Sequence, residues 1–118
     1  MKPLRIYVSG PLSSDTDEGM LENCQRAVDV GIQLMQKGHY PHIPHLSLWT
    51  NIRAEEKHGI TFDWDWWMAL DLDILECCHA LYFIGSSRGA DMELQRAKDL
   101  GLQIFYSLDE VPEVGEEA

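Results

Sequence analysis

Gly85-Ser86-Ser87-Arg88-Gly89-Ala90-Asp91-Met92-Glu93-Leu94 is the stretch on which the reading of this chain turns. Before it stands an apolar run, Ala80-Leu81-Tyr82-Phe83-Ile84. After it, Leu94, Ala97, Leu100 and Gly101 fall on one side of a helical spacing. The pattern is a buried strand over 80–84, a tight loop, and a helix over 90–100. Ser87 or a neighbour caps that helix, and Gly89 lets the backbone turn sharply or approach a ligand. The unpaired N–H groups and dipole of such a helix start attract an anion. Glu93 is expected in the first turn, where that field keeps its carboxylate ionised. An ionised carboxylate there suits a nucleophile or general base. The plainer alternative is a glutamate that only complements the dipole.

Outward from this stretch, strands and helices alternate. Leu4–Ser9 reads as a first strand ended by Gly10-Pro11, with possible helix caps at residues 13–17. Met20, Cys24, Ala27, Val28, Gly31, Leu34 and Met35 make one buried helical face up to Lys37, and Gly38 stops it. Tyr40–Ile43 is a short strand that Pro41 and Pro44 confine to an edge. Residues 46–58 read equally as helical turns or an ordered loop. A helix then starts at Thr61 or Asp63 and runs to Cys78, and Leu102–Tyr106 is the last strand. The acidic tail, 109–118, is expected to fray or to rest on a partner subunit.

This alternation predicts one α/β domain over residues 1–108. It is a flavodoxin- or Rossmann-like parallel sheet of four to five strands with helices on both faces. Right-handed crossovers give the strand order 2-1-3-4. Ligands of such sheets bind at the carboxyl edge where the winding reverses, here between the first and third strands. The loops there are Ser9-Gly10-Pro11 and Gly85-Ser86-Ser87, so topology and loop chemistry point to one place.

At 118 residues the chain has room for a single sizeable core. Nine basic against 20 acidic residues leave a formal charge of -11, a surface that repels nucleic-acid polymers. One small phosphorylated ligand, held by backbone N–H groups and a single arginine, remains compatible with it. No apolar run approaches the ~20 residues of a membrane span. The three cysteines, two of them adjacent, argue against a disulfide framework and for a cytoplasmic protein.

Several side chains admit more than one role. Tyr7, near the end of the first strand, reaches Glu93 or is a buried core aromatic. Asp71 and Asp73 lie two apart on a helix, so only one faces the cleft and the other is solvated. His39, His42 and His45 are spaced by three, but the prolines between them prevent a regular helix. No carboxylate or cysteine completes a metal set, so no metal or cofactor is expected. His45, ending the second strand, is better placed to touch a ligand. Trp49, Trp64, Trp66 and Trp67 are assigned mainly to the core and an oligomer interface, with one of them stacking on a planar base as the minority role. Cys77-Cys78, at the buried end of a helix, reads as packing.

In order and spacing these segments resemble the nucleoside 2-deoxyribosyltransferase superfamily, its small members included. The resemblance covers most of residues 4–106. It rests on Ile6-Tyr7-Val8-Ser9-Gly10-Pro11, on Asp71 followed eight residues later by His79-Ala80-Leu81-Tyr82, and on Ser87-x-Gly89-x-x-x-Glu93-Leu94. Gly38-His39-Tyr40-Pro41-His42-Ile43-Pro44-His45-Leu46 is similar to a signature of the small members. The resemblance implies that Glu93 attacks the anomeric carbon of a nucleoside or nucleotide, that Asp71 handles a proton at the departing base, and that Tyr7 orients Glu93. It places Ser9, Gly10, Pro11, His45, Ser87, Arg88 and Gly89 around the substrate. Ser87, six residues before Glu93, stands where base-exchanging members tend to carry Asp and nucleotide-hydrolysing members Ser. With Arg88 beside it, a nucleoside 5′-monophosphate is implied. His79 departs from the family pattern, in which Asp is common, and the loop before Glu93 is about two residues shorter than in the hydrolases.

The expected activity is therefore an N-glycosidase working through a covalent glycosyl-Glu intermediate. Base exchange between nucleosides is the enzymatic alternative, and a non-catalytic nucleotide-binding or sensing module the other. The expected partners are a small nucleotide or nucleoside and further copies of the chain, as a dimer or tetramer.

Overall fold

A computed structural model describes residues 1–115. Its order is β1 (Arg5–Ser9), α1 (Asp17–Gln36), β2 (Tyr40–His42), a 3-10 turn (Pro44–Leu46), α2 (Ser47–His58), α3 (Trp64–Leu75), β3 (Ala80–Phe83), α4 (Arg88–Asp99), β4 (Gln103–Phe105) and a second 3-10 turn (Leu108–Glu110). The four strands are all parallel, in the order β2-β1-β3-β4. The fold is the flavodoxin-like α/β arrangement that the alternation of elements predicts.

The two-residue period of β1 divides the molecule. Ile6 and Val8 face one way, into a cluster with Ala27 and Leu34 of α1, Ala80, Tyr82, Phe105 and Val111. Tyr7 faces the other way, with Leu75, Cys78, Leu81 and Ala97, under α3 and α4. Burying each large apolar side chain in these clusters contributes about 1.5–3 kcal/mol. Thr16 starts α1 by accepting the Gly19 N–H at 2.9 Å, and buried Cys24, Ala27, Gly31 and Leu34 mark its inner stripe. Met35, which the spacing assigns to that stripe, is exposed.

One open reading is decided in favour of the helix, and one expectation changes. Residues 46–58 are largely the helix α2, although none of its side chains is buried. Gly59 closes it at φ +62°, and the Ile60 N–H returns to the Ala54 carbonyl at 3.1 Å. Without a buried stripe, the helix leaves no periodic signal. The tail does not fray over 109–115. Val111 is buried, Lys37 Nζ donates to the Val111 carbonyl at 3.0 Å, and the Val114 N–H donates to the Lys37 carbonyl at 2.8 Å. His39 accepts the Leu4 N–H on Nδ1 at 3.0 Å, so its Nε2 carries the proton and donates to the Pro112 carbonyl at 2.6 Å. A Cβ on Gly38, at φ +93°, would lie 2.8 Å from Val114. The rest of the predicted tail, 116–118, lies outside the described residues.

Candidate active site

Glu93 occupies the second turn of α4, not the first. Ser87 is the cap, accepting the Ala90 N–H at 3.0 Å, and Arg88 begins the helix. Asp91 takes the dipole-complementing position, its carboxylate accepting from Ser86 Oγ at 2.8 Å. Glu93 is instead turned inward and is only 5 % exposed. Both of its oxygens are held: Tyr7 Oη donates to Oε2 at 2.5 Å and Ser9 Oγ donates to Oε1 at 2.8 Å. Tyr7 and Ser9 are two apart on β1 and so share the face that α4 covers.

Burial raises Glu93 to a pKa of about 7, and the negative charge of Asp71 adds to the rise, while the bonds from Tyr7 and Ser9 oppose it. The expected fully ionised carboxylate is thus replaced by one that titrates near neutrality. A helix N-terminus loses its influence beyond the first turn, whereas desolvation acts wherever water is removed. Tyr7 is driven far above the usual phenol range by burial and by the carboxylates of Glu93 and Asp71, so it remains a donor. Desolvation lifts half-buried Asp71 to about 6. Asp73 is exposed.

Glu93 and Asp71 line a cavity of about 320 Å³ at the carboxyl edge of the sheet, within the range of small-molecule sites. Of the residues expected at a site, Glu93, Asp71, Gly10, His45, Ser87, Arg88 and Gly89 line it. Tyr7, Ser9 and Pro11 do not. Tyr7 and Ser9 are fully buried behind Glu93, and Pro11 presents its carbonyl to His45. Ser9 therefore holds the carboxylate instead of touching a ligand. Gly10 has a packing reason to be glycine, since a Cβ there would lie 2.9 Å from Ile84 Cβ.

Trp64 and Trp67 line the cavity, whereas Trp49 and Trp66 are exposed, 57 % and 45 %. No tryptophan joins the buried core, contrary to the role expected for them. The Arg88 guanidinium lies 4.0 Å from the centroid of a Trp64 ring, a cation–π contact that leaves its N–H edges available. Met68, Leu48 and Asn51 are among the other residues of the wall. The sequence carries no sign of Asn51, because only the placement of α2 beside the turn that holds His45 brings it in.

The three histidines go separate ways. His39 ties down the tail, His42 lies against Tyr7 with ring centroids 5.5 Å apart, and His45 Nε2 meets the Gly10 and Pro11 carbonyls. Among the described residues no three His, Cys, Asp or Glu side chains are grouped to hold a metal ion. Cys77 is exposed, contrary to its expected burial, because α3 ends at Leu75; Cys78 is buried. His79 Nδ1 accepts the Arg5 N–H at 2.9 Å at the entry to the sheet.

Over residues 4–107 the chain matches the model of a family described as a domain of unknown function, DUF7768. The protein belongs to that family. No curated protein matches it. Among the described residues no helix is long and apolar enough to cross a membrane.

Proposed function

We propose that the protein is a cytoplasmic N-glycosidase of the nucleoside 2-deoxyribosyltransferase type. It would cleave the base–sugar bond of a nucleoside 5′-monophosphate. The observation that carries this reading is Glu93. It is a buried carboxylate on a cavity wall with both oxygens held by hydroxyl donors and a second raised carboxyl, Asp71, lining the same cavity. Oxocarbenium-like chemistry calls for such a pair, one member ionised and the other protonated.

In the first step the Glu93 carboxylate bonds to the anomeric carbon. The glycosidic electron pair leaves with the base, which takes the Asp71 proton. In the second, the Asp71 carboxylate takes a proton from water, whose oxygen displaces Glu93 from the sugar. Tyr7 and Ser9 keep the attacking oxygens in place.

The phosphate has a suitable cradle. Arg88 and Gly89, at the first two positions of α4, have no intrahelical acceptor for their N–H groups. Ser87 Oγ already accepts from Ala90, leaving its own proton for the ligand. Self-association through the exposed Trp49 and Trp66 belongs to the same proposal.

The test is chromatographic detection of free base from ribo- and deoxyribonucleoside 5′-monophosphates and the matching nucleosides. Release by the wild type, lost by at least about a thousandfold in Glu93→Gln, is expected. Added acceptor base should yield no new nucleoside; its appearance would mean base exchange. Silence across the panel sinks the enzymatic reading for these substrates.

A further inference from the structure

In a chain with 20 acidic residues against nine basic ones, an exposed guanidinium has many carboxylates to pair with. Arg88 is exposed, yet among the described residues it pairs with none of them. Asp91 lies three positions on, at the spacing of a helical ion pair. Its carboxylate accepts from Ser86 Oγ instead, at 2.8 Å on each oxygen. The Arg88 side chain goes to Trp64 at the start of α3, with its guanidinium carbon 4.0 Å from a ring centroid.

Both residues line the cavity, and no other lysine or arginine among the described residues does. The contact uses the face of the ring and leaves the guanidinium N–H donors for an oxyanion. A long side chain that is already held also loses less freedom when a ligand binds. Charge then limits that ligand. The cavity carries one cation beside the carboxyls of Glu93 and Asp71. One phosphate finds a partner there, whereas a second or third meets only acidic groups of a chain whose formal charge is -11.

We propose that Trp64 is a positioning residue that holds the Arg88 guanidinium for the substrate phosphate. Together they select nucleoside monophosphates over nucleosides and over di- and triphosphates. The ligand class rests on the glycosidase reading.

The experiment is calorimetric binding to Glu93→Gln of adenosine, guanosine, cytidine and uridine and their 5′-mono-, di- and triphosphates, in ribo and deoxy forms. Base release by the wild type is measured in parallel. The monophosphate should bind more tightly than its nucleoside, diphosphate and triphosphate. Adding Arg88→Gln should shrink the monophosphate-to-nucleoside ratio by about ten- to hundredfold. Adding Trp64→Leu should shrink it by about three- to tenfold, and Trp64→Phe by less. In the Arg88→Gln background Trp64→Leu should change the ratio no further, because Trp64 acts through Arg88. A Trp64 with only a structural role would weaken nucleoside and monophosphate alike. A ratio unmoved by Trp64→Leu, or moved equally without Arg88, therefore overturns the positioning role. Di- or triphosphates bound as tightly as the monophosphate overturn the selection. Base release with no monophosphate preference overturns this inference and leaves a glycosidase. The predicted preference with no release from any ligand upholds the Trp64–Arg88 pair and overturns the glycosidase reading. No binding and no release overturn both.

Discussion

The two faces of β1 carry opposite kinds of chemistry on adjacent residues. Ile6 and Val8 enter a hydrocarbon cluster under α1. Tyr7 and Ser9, equally inaccessible, spend their hydroxyls on the carboxylate of Glu93 under α4. The first face gains free energy from every apolar atom it removes from water. The second takes an ionisable group out of water and recovers only part of the cost through two hydrogen bonds. Both sides of the strand carry an apolar cluster, and the buried ionisable network lies on one of them alone. A polar network held by a rigid strand positions its carboxylate more exactly than a loop could.

The sharpest way to break this division is a substitution on each face. Ile6→Ala should cost about 2–5 kcal/mol in denaturant unfolding while the folded fraction keeps its activity per molecule. Glu93→Gln should do the reverse. The folded-state pKa of Glu93, about 7, lies above its ordinary value of 4.5, so the folded protein binds the proton more tightly than the unfolded chain. Its burial penalty is absent below about pH 4.5 and grows until pH passes about 7. Wild-type melting temperature should therefore fall across that window. In Glu93→Gln the fall should be smaller, with Asp71 the remaining raised carboxyl, between 3.8 and about 6. His42 and His45, lowered by burial, act in the opposite sense in both proteins. An unchanged slope would mean that Glu93 is not desolvated as described.

Tyr7→Phe tests the polar face more gently. It removes one of the two bonds that favour the ionised carboxylate, so the Glu93 pKa should rise further above about 7. Less of Glu93 is then ionised at neutrality, so turnover there should fall by about ten- to a hundredfold and the pH of maximal activity should move up. Both carboxyls contribute to that profile. Between about pH 6 and about 7 they share one proton that rests mainly on Glu93. The reactive form, with Glu93 ionised and Asp71 protonated, is thus the minor one; its share is greatest in that window, and activity should peak there.

The smallest effect is expected two residues from a large one. Asp73→Asn should change neither melting by more than about 0.5 kcal/mol nor base release, because Asp73 is exposed. A loss as large as that of an Asp71 variant would mean that the helix presents the other aspartate to the ligand.

The sheet was legible because its signals are local. Apolar runs bounded by Gly and Pro mark β1 and β3, and one helical stripe marks α1. The parallel order follows from connection lengths and handedness. The juxtaposition of Tyr7 with Glu93 was within reach, since a two-residue period and a strand-loop-helix motif nearly dictate it. The ionisation of Glu93 was not. Helix position is read from sequence, but desolvation depends on what α3, β1 and α4 jointly enclose. The same holds for α2, whose residues carry no buried stripe, and for the tail, whose anchors at Lys37 and His39 lie about 75 positions away. Asn51 and Trp64 reach the cavity only through the packing of whole helices. Local pattern therefore determined the elements and their order, because strand and helix periods and turn chemistry are written within a few residues. Tertiary structure alone decided which groups lose water, and with that their protonation, because burial is a property of all the elements that close around a side chain.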